Sequence, residues 1–317
     1  NGLETIAQTK VGTLSWGYCS ILPNAPMNLP EYKKKFQIKT IRSPVNLRHA
    51  SMEYIKKDKI KEFEEIVIET SSFSLEELKQ MMLFAWAFST FQNIGIFEDF
   101  SNYYKQIHDL PFMSFYETFF EFSKLEKSIF SDEIEIVTKY FDVGFSGNGW
   151  YNLVPKFGDI SWPMEEASWL RLGSDRNRFE KDSRRLLDFL EKKYNFHSKK
   201  EVLNDLIKFQ GFLTTSRTSL DEIKAEKFIV DWKDFFMNNR NKLKQIPKQY
   251  YFINPVIEED PIRWGYSVIF WGKRARKYKV RVEKIYENKL LVEDNLRAED
   301  NLRAEEIKPP HSSNWDL

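Results

Sequence analysis

The sequence predicts a mostly helical α+β protein, and three observations carry that prediction. First, Ser74-Leu75-Glu76-Glu77 has the spacing of a capping box and leads into Met81 to Phe97, a run without one charged residue. Second, short β-branched or aromatic segments separated by helical pieces precede that run, which is the order of the tail of an α/β unit. Third, beyond Tyr250 the residues turn β-branched and aromatic again, which reads as a small β hairpin. Three regions follow: residues 1–72 with the early strands, 73–248 as a helical domain, and 249–317 as hairpin and exposed tail.

Taken in order, Thr13 to Leu22 reads as a buried strand, because it is aromatic-rich and ends in Pro23-Asn24-Ala25-Pro26, where a helix cannot continue. Pro30 to Phe36 suits one or two helical turns with Pro at the first position. Ile38 to Arg42 and Glu64 to Thr70 are two further strands. The central helix starts at Ser74 and stops at Gly95, a residue suited to a left-handed end. Met81 to Phe88 is apolar on every side, so this helix has no solvated face and must be buried in protein. The uncharged run falls short of the ~18 to 20 residues of a membrane span and contains Ser89, Thr90, Gln92 and Asn93.

Phe97 to Tyr104 and Phe112 to Phe130 carry aromatic residues at helical spacing, with Phe115, Phe119, Phe122 and Leu125 as a core stripe. Ser131-Asp132-Glu133-Ile134 opens another helix that ends before Gly144, and Gly144 to Trp150 reads as a solvent loop. That loop lacks a following Lys-Ser/Thr, so it is no phosphate cradle. Trp162 to Leu170 begins a helix with Pro163, Glu165 and Glu166 in its first turn, where the dipole favours acids. Neighbouring carboxylates on a helix point about a third of a turn apart, so they read as dipole partners and not as an acid–base couple. Amphipathic helices follow at Asp182 to Tyr194, Ser198 to Phe212 and Ser219 to Asn238, the last with a second capping box. Tyr250 to Val256 is a strand, and Trp264 to Trp271 with Tyr278 to Tyr286 forms the hairpin. The duplication of Glu293 to Ala298 as Glu299 to Ala304 is too short for a solenoid and reads as an exposed extension.

With 317 residues, 42% of them hydrophobic, the chain can fill a large core. Its 48 basic and 47 acidic residues leave a net charge of +1, which argues against nucleic acid or an anionic membrane as partner. Basic runs such as Lys33 to Lys35 and Lys273 to Lys279 read as solvated faces. Cys19 is the only cysteine, so the chain forms no internal disulfide and supplies no set of thiolates for zinc or iron–sulfur. That suits a reducing, cytoplasmic setting. The opening Asn1-Gly2-Leu3-Glu4 shows neither an initiator Met nor a signal peptide and reads as the inside of a longer protein. His49, His108, His197 and His311 lie far apart without ligand spacing and read as structural, and no Gly-x-Ser-x-Gly elbow is present. No complete catalytic constellation, and hence no catalytic or metal-binding residue, is assigned from sequence.

One stretch suggests a family. Ile21-Leu22-Pro23-Asn24-Ala25-Pro26-Met27, then Pro30-Glu31-Tyr32 and Ile38-Lys39-Thr40-Ile41-Arg42, resembles the late-barrel segment of cobalamin-binding-type radical S-adenosylmethionine proteins. The likeness continues through Glu69 to Ser72 and loosely through Trp162 to Leu170. The resemblance implies that residues 1–72 are the late strands of a partial TIM-type barrel. It also implies an enzyme that uses an iron–sulfur cluster, S-adenosylmethionine and, in many members, cobalamin. This chain departs from the family pattern in lacking the Cys-x-x-x-Cys-x-x-Cys cluster loop, which Cys19 alone does not replace. The partners implied are therefore the upstream part of the same protein and a small-molecule substrate. Asn24 would then sit at the carboxyl end of a barrel strand, where barrel active sites form, and contact cofactor or substrate. Its alternative role is to close the turn between two prolines. Two functional readings result: the C-terminal part of a radical S-adenosylmethionine enzyme, not catalytically complete by itself, or a non-catalytic helical interaction module with a β appendage.

Overall fold

The chain enters its first sheet at β1 (Ser20–Ile21), turns at Pro23 to Pro26, forms helix α1 (Pro30–Phe36) and returns as β2 (Lys39–Pro44). A short α2 (Met52–Lys57) leads to β3 (Phe63–Glu69). The structure is a computed structural model that describes residues 4–5, 16–57, 60–214, 223–237, 243–253, 261–265 and 285–286. The sheet order is β1-β3-β2, with β3 antiparallel to both neighbours and Ile66 opposite Ser20 on one side and Ile41 on the other. No closed barrel forms among the described residues. Of the expected strand Thr13 to Leu22, only Ser20–Ile21 is strand among the described residues, and Thr13 to Ser15 lie outside them. Tyr18 donates from its hydroxyl to Glu64 Oε1 at 2.7 Å, Ser20 also bonds Glu64, and the chain then runs into Pro23, which has no amide to continue the ladder. β3 is the inner strand of the sheet, paired on both sides.

The central helix α3 (Leu75–Ala87) begins as expected. Ser74 Oγ accepts from the Glu77 amide at 3.3 Å, and the Glu77 carboxylate accepts from the Ser74 amide at 2.8 Å. Its end is different from the expected simple stop. Phe88–Asn93 widens into a π-helical turn, with the Ile94 amide donating to the Ser89 carbonyl five residues back, and Gly95 follows at φ 95°. Side chains hold this wide turn inside the core. Gln92 Oε1 accepts from Ser101 Oγ at 2.6 Å and from the Tyr116 hydroxyl at 2.8 Å. Gln210, from a later helix, donates to the Gly95 carbonyl at 3.0 Å and accepts from the Asp99 amide at 3.2 Å.

Around that turn stand α4 (Glu98–His108), α5 (Phe112–Leu125), α6 (Ile129–Phe145), α7 (Met164–Gly173), α8 (Arg176–Tyr194) and α9 (Lys200–Thr214). The core is aromatic: Phe91 stacks on Phe97 with centroids 4.5 Å apart, and Phe115, Phe119, Phe130 and Phe179 close around the same pair. Such ring pairs add about 0.5–1.5 kcal/mol each beyond their buried area. Phe115, Phe119 and Phe122 are buried as their spacing suggests, but Leu125 at the helix end is exposed. Helix α6 starts two residues before the expected Ser131. Ser128 is its cap and Ser131 the reciprocal partner. Among the described residues no helix is long and apolar enough to cross a membrane.

The expected helix from Ser219 to Asn238 is replaced by β4 (Ile223–Phe228) and a short α10 (Trp232–Met237). The buried Asp205 carboxylate takes the amides of Ile229 and Val230 and the Trp232 indole N–H, which removes the donors a continuous helix would need. Phe228 packs on Phe209, Phe212 and Tyr250. β4 pairs with β5 (Lys248–Ile253), which pairs in turn with β6 (Ile285–Tyr286), all antiparallel. Residues 261–265 form the short helix α11. The rest of the expected hairpin and the 293–304 duplication lie outside the described residues.

Two predictions follow from this core. Trp86 is 1% exposed and donates to Ser168 Oγ at 2.9 Å, so Trp86→Ala should cost ~3–5 kcal/mol in denaturant unfolding; a loss below ~1 kcal/mol would contradict its central place. Burial pushes the Asp99 carboxyl up to about 8, well above the roughly 4 of an unfolded chain. Between those values the folded state holds a proton that the unfolded state has lost, so this contribution to stability is full below pH ~4 and fades as the pH rises toward 8. Asp99→Asn should therefore flatten the fall in unfolding free energy between pH 5 and 8, and equal slopes for the two proteins would refute the assignment.

Candidate functional site

Residues from six parts of the chain meet at a pocket with about 50 Å³ of room. Trp16 to Tyr18 form one wall, Asn46 and Arg48 a second, and α3 contributes Met82, Ala85, Trp86 and Ser89. Tyr140 and Phe141 of α6, Trp150, and Pro163 to Glu165 at the start of α7 complete it. The walls are aromatic and the polar groups few, the usual make-up of a small-ligand site.

Close backbone approach positions Trp150. A Cβ on Gly144 would lie 2.3 Å from the Trp150 ring, so only glycine lets the indole rest on α6. The other side of that ring faces Tyr18, stacked at 4.8 Å, and Tyr140 and Phe145 close its edges at 5.7 and 5.0 Å. Trp150 is 2% exposed, and its indole N–H, like that of Trp16, donates to no described residue. The loop read as solvent-facing thus ends in a buried anchor.

Behind the pocket the chain brings together residues that sequence spacing could not connect. The His49 amide donates to the Ser161 carbonyl at 2.7 Å, and the Ser161 amide donates back to Ala50 at 2.9 Å, which lays the 49–51 segment along Ile160 and Ser161. His49 adopts a left-handed backbone, φ 62°, and its Nε2 meets Glu166 Oε2 at 2.6 Å. Glu166 is 2% exposed and His49 packs edge-on to Trp162 at 5.8 Å. Sequence reasoning assigned His49 to a lone structural role and Glu166 to the helix dipole; no signal in the linear spacing joins positions 117 residues apart. Below them, Arg171 of α7 holds the buried Glu133 of α6 through two bonds, 2.8 and 2.5 Å.

Electrostatics around the pocket divide its rim. Arg48 and Glu165 both act on the Tyr140 hydroxyl, which burial pushes well above its ordinary range, Arg48 lowering and Glu165 raising it. Burial raises Tyr18 likewise, reinforced by its bond to Glu64, so both phenols stay protonated donors. Asn24 is exposed in its turn and is not among the pocket residues. That turn is closed by the Ala25 amide on the Leu22 carbonyl at 3.0 Å and by the Asn28 side chain on the Pro23 carbonyl at 2.9 Å. The other histidine of note, His108, lies flat on Phe196 at 4.0 Å and meets Ser198 at 3.0 Å, with Ser198 already donating to Glu191, so this trio is a packing cap and not a nucleophile with its base. Among the described residues no cluster of three His, Cys, Asp or Glu is arranged to hold a metal ion.

The pocket yields a mutational expectation. Gly144→Ala forces the Trp150 ring to move, which costs about 1–3 kcal/mol as overpacking and shifts the indole N–H resonance of Trp150; an unchanged Trp150 signal would contradict the packing described.

No protein-family model matches this chain, and no curated protein matches it either.

Proposed function

We propose that this chain is the C-terminal part of a cobalamin-binding-type radical S-adenosylmethionine enzyme, contributing the late end of a partial barrel and a helical C-terminal domain. The observation that carries the reading is the unit from Ile21 to Arg42: a hydrophobic strand, a Pro-flanked turn, a helix opened by Pro30 and a second strand, in the order the resemblance asks. β1 and β2 both run antiparallel to β3, and so run parallel to each other, as successive strands of a βαβ unit do, although β3 lies between them. In this reading Asn24, exposed at the end of β1, faces the upstream part of the protein and what that part binds. The residues present do not fit the cluster of the resembled family. Cys19 is the one thiol, and an iron–sulfur cluster takes several, so no step is assigned to a cluster or its cofactors here. The substrate is a small molecule, and the setting is cytoplasmic.

A second reading, a non-catalytic helical interaction module, is favoured by the single hydrophobic core that runs from Ile66 to Tyr250. The native polypeptide separates the two. An antibody against residues 74–214, used on the cells that make the protein, should detect a polypeptide longer than this chain, and anaerobic purification of it should yield iron and sulfide. The 317-residue chain alone, given iron and sulfide, should form no cluster absorbance. A native polypeptide no longer than this chain and free of iron would transfer the assignment to the interaction module.

A further inference from the structure

We propose that the pocket between Trp16, Arg48, Tyr140, Trp150 and Glu165 binds a small dipolar ion of the α-amino acid class, with Arg48 taking the carboxylate and Glu165 the ammonium. The site rests on three observations that do not depend on the barrel reading. Arg48 and Glu165 line the same pocket, yet neither makes a hydrogen bond or ion pair with any described residue, so they are not spent on each other. Both act on the Tyr140 hydroxyl with opposite sign, which places one charge of each kind around a single buried phenol. The third observation is that the rings of Trp16 and Trp150 line the pocket while their indole N–H groups, closed to solvent, bond no described residue. A buried donor left unmade costs about 1–3 kcal/mol, so a small shift of either ring that brings its N–H onto a ligand carboxylate oxygen is favoured.

Charge decides the ligand class. A simple anion would suit Arg48 and the indoles but would meet the Glu165 carboxylate. A simple amine would suit Glu165 and the ring faces of Tyr18, Tyr140 and Trp150, but would meet the Arg48 guanidinium. Only a molecule that carries both charges satisfies both rim residues at once. Size sets a second limit: about 50 Å³ of room exceeds the need of one water but falls short of the 150 Å³ cavity that admits benzene. Alanine has as many heavy atoms as benzene, so that room takes the dipolar end of an amino acid whose side chain projects outward.

The test uses the full chain and three probes of one shape: L-alanine, propionate and ethylamine. In nitrogen–proton spectra, L-alanine should move the indole signals of Trp16 and Trp150 saturably, with propionate and ethylamine binding about tenfold or more weakly. Arg48→Gln, a change at an exposed side chain, should weaken L-alanine binding about tenfold or more, and Glu165→Gln should weaken L-alanine while strengthening propionate. Propionate or ethylamine binding as tightly as L-alanine would overturn the proposal. So would an Arg48→Gln protein that binds L-alanine unchanged, or the absence of any saturable shift up to the solubility of L-alanine.

Discussion

The rest of the structure depends on how the central helix ends inside protein. A helix end leaves carbonyl groups without partners, and at the end of α3 there is no solvent to receive them, because Phe88, Phe91, Ile96 and Phe97 are all fully buried. The solution is local and polar. The turn widens to five-residue bonding, Gly95 takes a left-handed backbone, and the Gln210 side-chain amide donates to the Gly95 carbonyl, while Gln92 Oε1 takes the hydroxyls of Ser101 and Tyr116. Gln210 belongs to α9, more than a hundred residues later, so the helix end fixes where α9 must pack. Unpaired buried backbone groups cost about as much as lost hydrogen bonds, so this arrangement constrains every helix around it.

The pocket is a consequence of the same packing. Trp86 of α3 is tied to Ser168, and Ser168 Oγ donates to the Met164 carbonyl at 2.9 Å. Those two bonds set the start of α7 against α3. The bidentate pair of Arg171 with Glu133 then sets α7 against α6. With three helices positioned, the first-turn residues of α7 and the Trp150 indole have one place to go. What remains between them and the Trp16 to Tyr18 segment is the pocket.

Much of the fold was legible in the sequence where the signal is local. The Ser74 capping box, the Phe115-Phe119-Phe122 stripe and the Pro30 helix start each depend on residues within a few positions of one another, whereas the uncharged run is buried only from Ala85 on, with Met81 exposed. The replacement of a helix by β4 was not legible, because the deciding group is Asp205, which takes the amides at 229 and 230 from another helix. A capping box at Ser219 says only that a helix can start. Gly144 misled for a related reason: glycine marks either a turn or a close approach, and only the position of the Trp150 ring shows which. The His49–Glu166 contact joins a loop to a helix start across 117 positions, and no periodicity encodes such a pair.

The adjacent acids of α7 show how one sequence rule yields a site. At 3.6 residues per turn, neighbours on a helix diverge by about 100°, so Glu165 and Glu166 cannot share a ligand or a proton as a couple. Divergence gives each acid a separate environment. Glu166 turns inward and is held by His49, which anchors the 46–50 loop to the helix start. Glu165 turns toward the pocket, and the anchored loop brings Arg48 to the same opening from the other side. The buried acid thus positions the opposing cation, while the pocket-facing acid supplies the negative charge of the rim. A pocket with one charge of each sign is therefore built from two consecutive residues on a helix and two consecutive residues on a loop.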